Sequence, residues 1–430
     1  MIMISQRVLN IICALPIINI VLDVFVLANL DEGSLFPQLR ALFLILLAIY
    51  VFQKRFKLDY AGFPIILFLL YIAVLIPFSS KMGYSFRIYS KVFITLMMFF
   101  VGYYTITNVQ AFKKLNQSMV YLMVFVIGYT IYSTIAGVGL GWYLQDEQFS
   151  TGYIVGSGLY PVSFAIILFP FIILFYQKKN HRLIVAGITI VSMVILLLSL
   201  RRTTVLSVVV GYATFFIFTT RRGQFVKVAV FAGIILTALF PYYQDVLWHR
   251  FESRFGEYES TAEAFRPEEQ ARYLETLVVY EEVLSFRNPA KSIFGKEIFN
   301  SPGNYGVGIF SRFRQLHIDY NIILHGSGLV GLLLYLFIFY RLYKTEIRVR
   351  KKVPQNVFNT TVHAVFMSLL FSTMFISMVG GMHIITFRSI SFLYLGGFLG
   401  MYREQLRYLR RKRQESESEP PKALEVSLPA

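Results

Sequence analysis

Apolar residues come along this chain in blocks of roughly twenty, separated by short gaps where the charges gather. A helix of about 20 apolar residues crosses a hydrocarbon core of about 30 Å. Inside lipid every backbone polar group must find its partner within the segment, so each block is read as a helix. Twelve spans are expected, near 8–28, 37–53, 59–78, 89–107, 118–138, 156–176, 183–200, 203–219, 224–241, 319–340, 358–379 and 387–402. Only Arg201 and Arg202 separate the seventh from the eighth, and one helix through both would overrun the bilayer. The pattern predicts an all-α, polytopic integral membrane protein.

Lysine and arginine set its orientation. One set of gaps holds Lys54, Arg55 and Lys57, then Lys113 and Lys114, then Lys178, Lys179 and Arg182. It continues through Arg221 and Arg222 to the cluster Arg341–Lys352 and the tail from Arg403 to Arg413. These gaps alternate as twelve spans require, with both termini cytoplasmic. The chain is then organised as spans one to nine over 1–241, a long outer loop over 242–318, spans ten to twelve over 319–402, and a tail over 403–430. The tail is basic at first and polar after Arg413, where disorder is expected. No cleavable signal peptide is expected, because the first apolar block carries Asp23 and lacks a small-residue cleavage site.

Within the outer loop, PEEQARYLETLVVYEEVLSF sets Tyr273, Leu277, Tyr280 and Leu284 at helical spacing. An amphipathic helix is expected there, packed on those four residues, with its glutamates in solvent. The run FGKEIFNSPGNYGVGIF reads as an irregular loop.

Composition narrows the chemistry. Charged residues make up 15% of the chain, against about 25% in soluble domains. The single cysteine, Cys13, lies in the first block and can form neither an internal disulfide nor a metal cluster. His325 and His383 have no second histidine at ligand spacing, and no acidic pair suits a divalent ion, so neither metal nor cofactor is expected. No nucleotide phosphate-binding loop occurs, which disfavours a primary pump. The net charge of +17 sits largely in the cytoplasmic gaps, and no nucleic-acid partner is expected.

The outer side nonetheless carries arginines. Arg201 and Arg202 stand at a membrane edge without nearby acids, and the loop adds Arg266 and Arg272 among others. Charge at such depth usually has a partner and a purpose. Guanidinium stays charged and binds phosphate bidentately, so these residues are candidates for cradling a lipid-linked phosphate. His317 closes the same loop and can serve as a general base or a hydrogen-bond donor. Asp23, Arg40, Lys91 and His363 are polar groups within or at the edge of spans, for which helix–helix hydrogen bonding is the default.

Three segments together resemble the O-antigen ligase and polymerase superfamily. LLLSLRRTTVLSVVVGY is similar to its serine–arginine segment at the outer edge of a helix. ARYLETLVVYEEVLSFRNPAKSIFGKE resembles its arginine-led helix running into a proline–glycine turn. QLHIDYNIILHGSGLVGLLLYLFIFY resembles its histidine-led entry into the next helix. Ile318 stands where that family often has asparagine, and KEI follows the turn glycine where a second glycine is frequent. The resemblance implies a metal-independent glycosyltransferase of the bacterial inner membrane. Its donor is a glycan on undecaprenyl pyrophosphate, and an acceptor hydroxyl displaces the lipid pyrophosphate. By motif position Arg202 and Arg272 hold the pyrophosphate, with Arg201 and Arg266 as neighbours of similar standing, and His317 is catalytic. The implied reaction polymerises repeat units of O-antigen, capsule or exopolysaccharide onto an acceptor glycan, with or without a chain-length regulator. A glycan ligase acting on a lipid or protein acceptor is the alternative. A glycan-lipid flippase or transporter is the second, although the long loop breaks the two-fold repeat common in transporters.

The lysine and arginine distribution makes one direct prediction. A reporter fused at Gly303 is expected to be active on the non-cytoplasmic side, and cytoplasmic activity there would overturn the topology.

Overall fold

A computed structural model describes residues 5–28, 36–55, 60–140, 149–154, 156–199, 201–219, 271–302, 315–381 and 385–418, with isolated positions 223, 233, 237 and 244. Among these residues the protein is built of helices and turns, with no strand. The helices are α1 (Gln6–Ala28), α2 (Phe36–Arg55), α3 (Phe63–Leu75), α4 (Met82–Thr105), α5 (Val109–Ala136), α6 (Tyr160–Ile172), α7 (Lys179–Leu198) and α8 (Arg202–Phe218). After the long connection come α9 (Ala271–Leu284), α10 (Pro289–Phe294), α11 (Asp319–Arg350), α12 (Val357–Ser377) and α13 (Ile385–Ser418). A helix occupies each expected span except 224–241, which apart from Gly233 and Thr237 lies outside the described residues. Six of the helices are long and apolar enough to cross a membrane, and shorter apolar helices cover 39–53, 63–78, 160–175 and 203–218.

Local chemistry sets several boundaries. Asn108 opens α5 by accepting the Ala111 N–H at 2.8 Å, and Gly137 closes it in the left-handed region at φ 66°. Asn356 caps α12 through the Asn359 N–H at 2.8 Å. Arg201 and Arg202 end one helix and begin the next: Ser199 closes α7, and the Arg201 carbonyl accepts from Thr204 and Val205 at the start of α8.

The distribution of side chains is that of a protein solvated by lipid. Large apolar residues face outward, as at Leu70, Val74 and Ile135, while Ser163, Ser368, Ser372 and Thr373 are buried. Lipid tails are as apolar as leucine, so burying leucine gains little, and close packing with interhelical hydrogen bonds must hold the bundle. The α4–α13 pair does so with glycine. Gly102 on α4 faces the Leu393 carbonyl, while Gly396 and Gly400 on α13 face the carbonyls of Phe99 and Tyr103. A Cβ at any of these three positions would fall well inside van der Waals contact with a backbone oxygen.

Two elements differ from expectation. The tenth expected span, 319–340, is longer and broken: α11 runs on to Arg350 and departs from helical geometry at Gly328, with φ 63° and ψ −165°. The α10 turn seats in that break. Gly295, at φ 87°, abuts the backbone of Gly326 and Ser327, and Lys296 donates its N–H to the His325 carbonyl at 2.7 Å. Ser85 and Asn300 then tie the following turn to the start of α4, through Ile298 O at 2.7 Å and Ser80 Oγ at 2.9 Å. The second difference is α13, which continues past Arg413 to Ser418 as helix.

Replacing Gly396 with leucine is expected to separate α4 from α13 and destabilise the fold by about 1–3 kcal/mol or more, the usual cost of overpacking. Thermal unfolding in detergent reads this. Gly83→Ala, with open space at its Cβ position, is the control expected to leave the transition unmoved.

Candidate functional site

One end of the bundle collects the starts of α6, α8, α11 and α13 with one face of α9. His317 lies just before α11, in the extended stretch that precedes its first turn. A buried carboxylate grips it twice. Glu275 Oε2 accepts the His317 backbone N–H at 3.0 Å, and Glu275 Oε1 lies 3.0 Å from His317 Nδ1. The Glu275 side chain is fully buried, whereas the imidazole is 47% exposed. An ionised carboxylate can only accept, so Nδ1 carries the proton toward Glu275. Nε2 is left to present a lone pair to whatever occupies the exposed side. The other face of His317 is fixed by Gly380, whose Cβ position is taken by the His317 carbonyl oxygen; at φ 115° that backbone favours glycine.

Glu275 corrects the sequence expectation for the loop helix. Glutamates of this segment were expected in solvent and the Tyr273–Leu284 stripe in the core. In the structure Glu275, Val279 and Val283 are buried, while Tyr273, Leu277, Tyr280 and Leu284 are each more than two-fifths exposed. The helix therefore docks by a polar anchor at one end and valines along the rest. Asn321 Nδ2 reinforces the contact by donating to Thr276 Oγ1 at 2.9 Å.

Below the dyad is a charged layer that sequence reasoning missed. Asp319, the first residue of α11, pairs with Arg388 of α13, and both are buried. Arg388 also donates to the Tyr335 hydroxyl at 3.2 Å and to Ser377 Oγ at 3.1 Å, which reaches α12. Asp319 is thus engaged away from His317. The signal for Arg388 was present, since ITFRSISFLYL puts one arginine inside an apolar span. Its partner was not legible, because the two lie 69 positions apart.

The expected arginines fall around this layer. Arg272 is exposed on α9, one turn before Glu275. The Tyr160 hydroxyl stands at the start of α6. That hydroxyl lies 2.8 Å from Thr203 Oγ1 in the first turn of α8, and the Tyr160 ring packs on Phe387 at 4.5 Å. Arg201 is half-buried at the N-cap of α8, and Arg202 is that helix's first residue, with its side chain outside what is described. The α8 start therefore contributes its positive dipole end and an arginine pair. Arg266 lies outside the described residues. Tyr160 thus links the start of α8 to the start of α13, whose Arg388 pairs with Asp319. No three His, Cys, Asp or Glu side chains gather at metal-binding geometry among the described residues.

Chemically, the arrangement offers an oriented, half-exposed imidazole, with Arg272 one turn from its Glu275 partner on α9 and a buried Asp319–Arg388 pair two residues further along α11. That combination can deprotonate or position a hydroxyl next to an anionic leaving group. No family model matches the chain, and no curated protein matches it either.

The buried pair has a measurable consequence. Asp319→Ala strands Arg388 without its counter-ion, and breaking a buried pair costs about 3–5 kcal/mol. Thermal unfolding is expected to show that loss for Asp319→Ala and a smaller one for Asp319→Leu combined with Arg388→Met. Equal destabilisation by both would deny the pair its electrostatic role.

Proposed function

We propose that this chain is a membrane glycosyltransferase working at the non-cytoplasmic face of a twelve-span bundle. Its donor is a glycan carried on a polyprenyl pyrophosphate, and its most probable task is polymerising repeat units of a surface polysaccharide. The observation that carries this reading is the His317–Glu275 dyad, with Arg272 one turn before Glu275 on the same helix. His317 Nε2 takes the proton of the acceptor hydroxyl as its oxygen bonds to the anomeric carbon. The anomeric carbon–oxygen bond to the pyrophosphate breaks, and the electron pair leaves on the lipid pyrophosphate. Arg272, Arg202 and Arg201 offset that charge, and guanidinium groups held in place need no reorganisation to do so. Glu275 orients the ring and stabilises the imidazolium once the proton has moved.

Turnover of a lipid-linked oligosaccharide by the purified full chain tests this. Wild type is expected to form polymer, and to do so in excess chelator, because arginines offset the pyrophosphate charge. His317→Ala is expected to bind donor and lose transfer, and Glu275→Gln to reduce transfer while the protein stays folded. Arg272→Ala and Arg202→Ala are each expected to lose roughly thirtyfold or more, from a contact typically worth about 2–5 kcal/mol. Lysine should rescue poorly, since a point charge cannot copy a bidentate fork. Full activity of His317→Ala together with both arginine variants would overturn the proposal.

A further inference from the structure

We propose that the turn between α9 and α10 dips into the leaflet on the His317 side, with Leu284, Phe286, Ile293 and Phe294 seated among its acyl chains. The partner of this surface is the bilayer itself. The placement depends on the span of α11 and holds whatever the dyad acts on.

Depth is the observation. The last residues of α10 press into the break of α11, where a Cβ on Gly328 would meet the Ile293 carbonyl at 2.4 Å. From Gly328 to Arg341, where the basic end of α11 begins, is 13 residues, or ~20 Å of helix. A hydrocarbon core measures about 30 Å, and helix tilt only widens the difference. Helix α3 gives the same level from its own length. The Tyr71 hydroxyl donates to the Ser327 carbonyl at 2.8 Å, which sets Tyr71 beside the break. Phe78 lies seven residues further on, ~10 Å nearer the His317 end, and is 79% exposed. A ring so bare at that height faces lipid. The break therefore lies about 10 Å inside the apolar zone, and Ile293 and Phe294 lie at its level, 37% and 53% exposed.

The turn itself fits that depth. Phe286 has a left-handed backbone, φ 53°, which is disfavoured for so large a side chain, and its ring is half-exposed. Immersing the ring in acyl chains offsets that strain. Non-helical backbone is tolerated inside a bilayer only where protein meets its polar groups. The Arg287 N–H goes to Ser285 Oγ, and Asn288 accepts the Lys291 N–H at 3.2 Å. The Gly295 and Lys296 N–H groups donate to the carbonyls of Lys291 and His325 at 2.8 and 2.7 Å. Glu281 faces Arg287 at 3.8 Å and Glu282 pairs with Lys296 at 2.8 Å, while the long stems of Arg287 and Lys291 let their charges rise to the headgroups. An interfacial element of this make-up sinks about 5–10 Å below the headgroup boundary. Helix α9 is thus held at both ends, by His317 on Glu275 and by lipid at its tip. The bilayer surface sets the height of the carboxylate that orients the imidazole.

Site-directed spin labelling of the full chain in phosphatidylcholine nanodiscs tests this. In a Cys13→Ala background, labels are placed by Ile293→Cys and Phe294→Cys, with Phe286→Cys as a third position. Leu70→Cys and Phe78→Cys give the lipid references, and Lys113→Cys the water reference. Collisions with oxygen are expected to exceed those with a water-soluble nickel complex at Ile293 and Phe294, as at Leu70 and in reverse of Lys113. Their depth should match Leu70 and exceed Phe78. Thermal unfolding unchanged from the background shows that each labelled protein is folded. Nickel collisions above oxygen would put the turn in water and overturn the proposal. Low collisions with both would show it covered by protein, the chain's own 242–270 segment included, and a depth shallower than Phe78 would place it above the acyl chains; either result overturns it too.

Discussion

The Asp319–Arg388 pair is the contact on which the arrangement of this protein turns. Two opposite charges sit at the starts of two helices, both buried, and neither could remain there alone. Arg388 also donates through Nη1 to Tyr335 and Ser377, so a single guanidinium holds α11, α12 and α13 in register. His317 is two residues before Asp319. Fixing the first turn of α11 therefore fixes where the imidazole emerges, and Gly380, three residues past the end of α12, closes on its carbonyl from behind. An ion pair of this kind adds little net stability but admits few alternative packings, a trade suited to a site that must hold its groups still.

Glycine serves the same end by another route. The α4–α13 contact lets backbones approach to a distance that any side chain would prevent, and α13 carries Arg388 at its start. Gly295 and Gly328 let α10 enter the break in α11. This break lies well below the dyad, at the base of the segment that bears Asp319. The turn glycine of SIFGKE is thus a packing device, and the glycine absent two residues later is not required for it: Glu297 stands there instead and accepts the Ser80 N–H.

Most helices were legible because the period of apolar blocks matches the thickness of a bilayer, a constraint that leaves few alternatives. The arginine and histidine segments were singled out through resemblance, and His317 of the latter stands on the buried Glu275. What sequence reasoning could not supply was partnership. Glu275 looked like one solvated glutamate among several, because amphipathic logic assumes that water covers the polar face and protein the apolar one. Beside a bilayer that assumption loses its force. The Tyr273–Leu284 stripe faces away from the bundle, and a carboxylate turns inward because a histidine N–H and ring await it there. Arg388 was missed because Asp319 is its partner only in three dimensions.

Charge pairing also bears on how the bundle is held. A membrane protein pairs its intramembrane polar groups, as Glu346 and His363 do for each other at the opposite end of the bundle. The site end follows the same rule. Asp319 answers Arg388 and Asp23 answers Arg40, and each acid joins two helices at their ends. The start of α13 thus carries a buried ion pair on one side and, through Thr386, the Arg40–Asp23 pair on the other, so that its position is fixed by charge on both flanks.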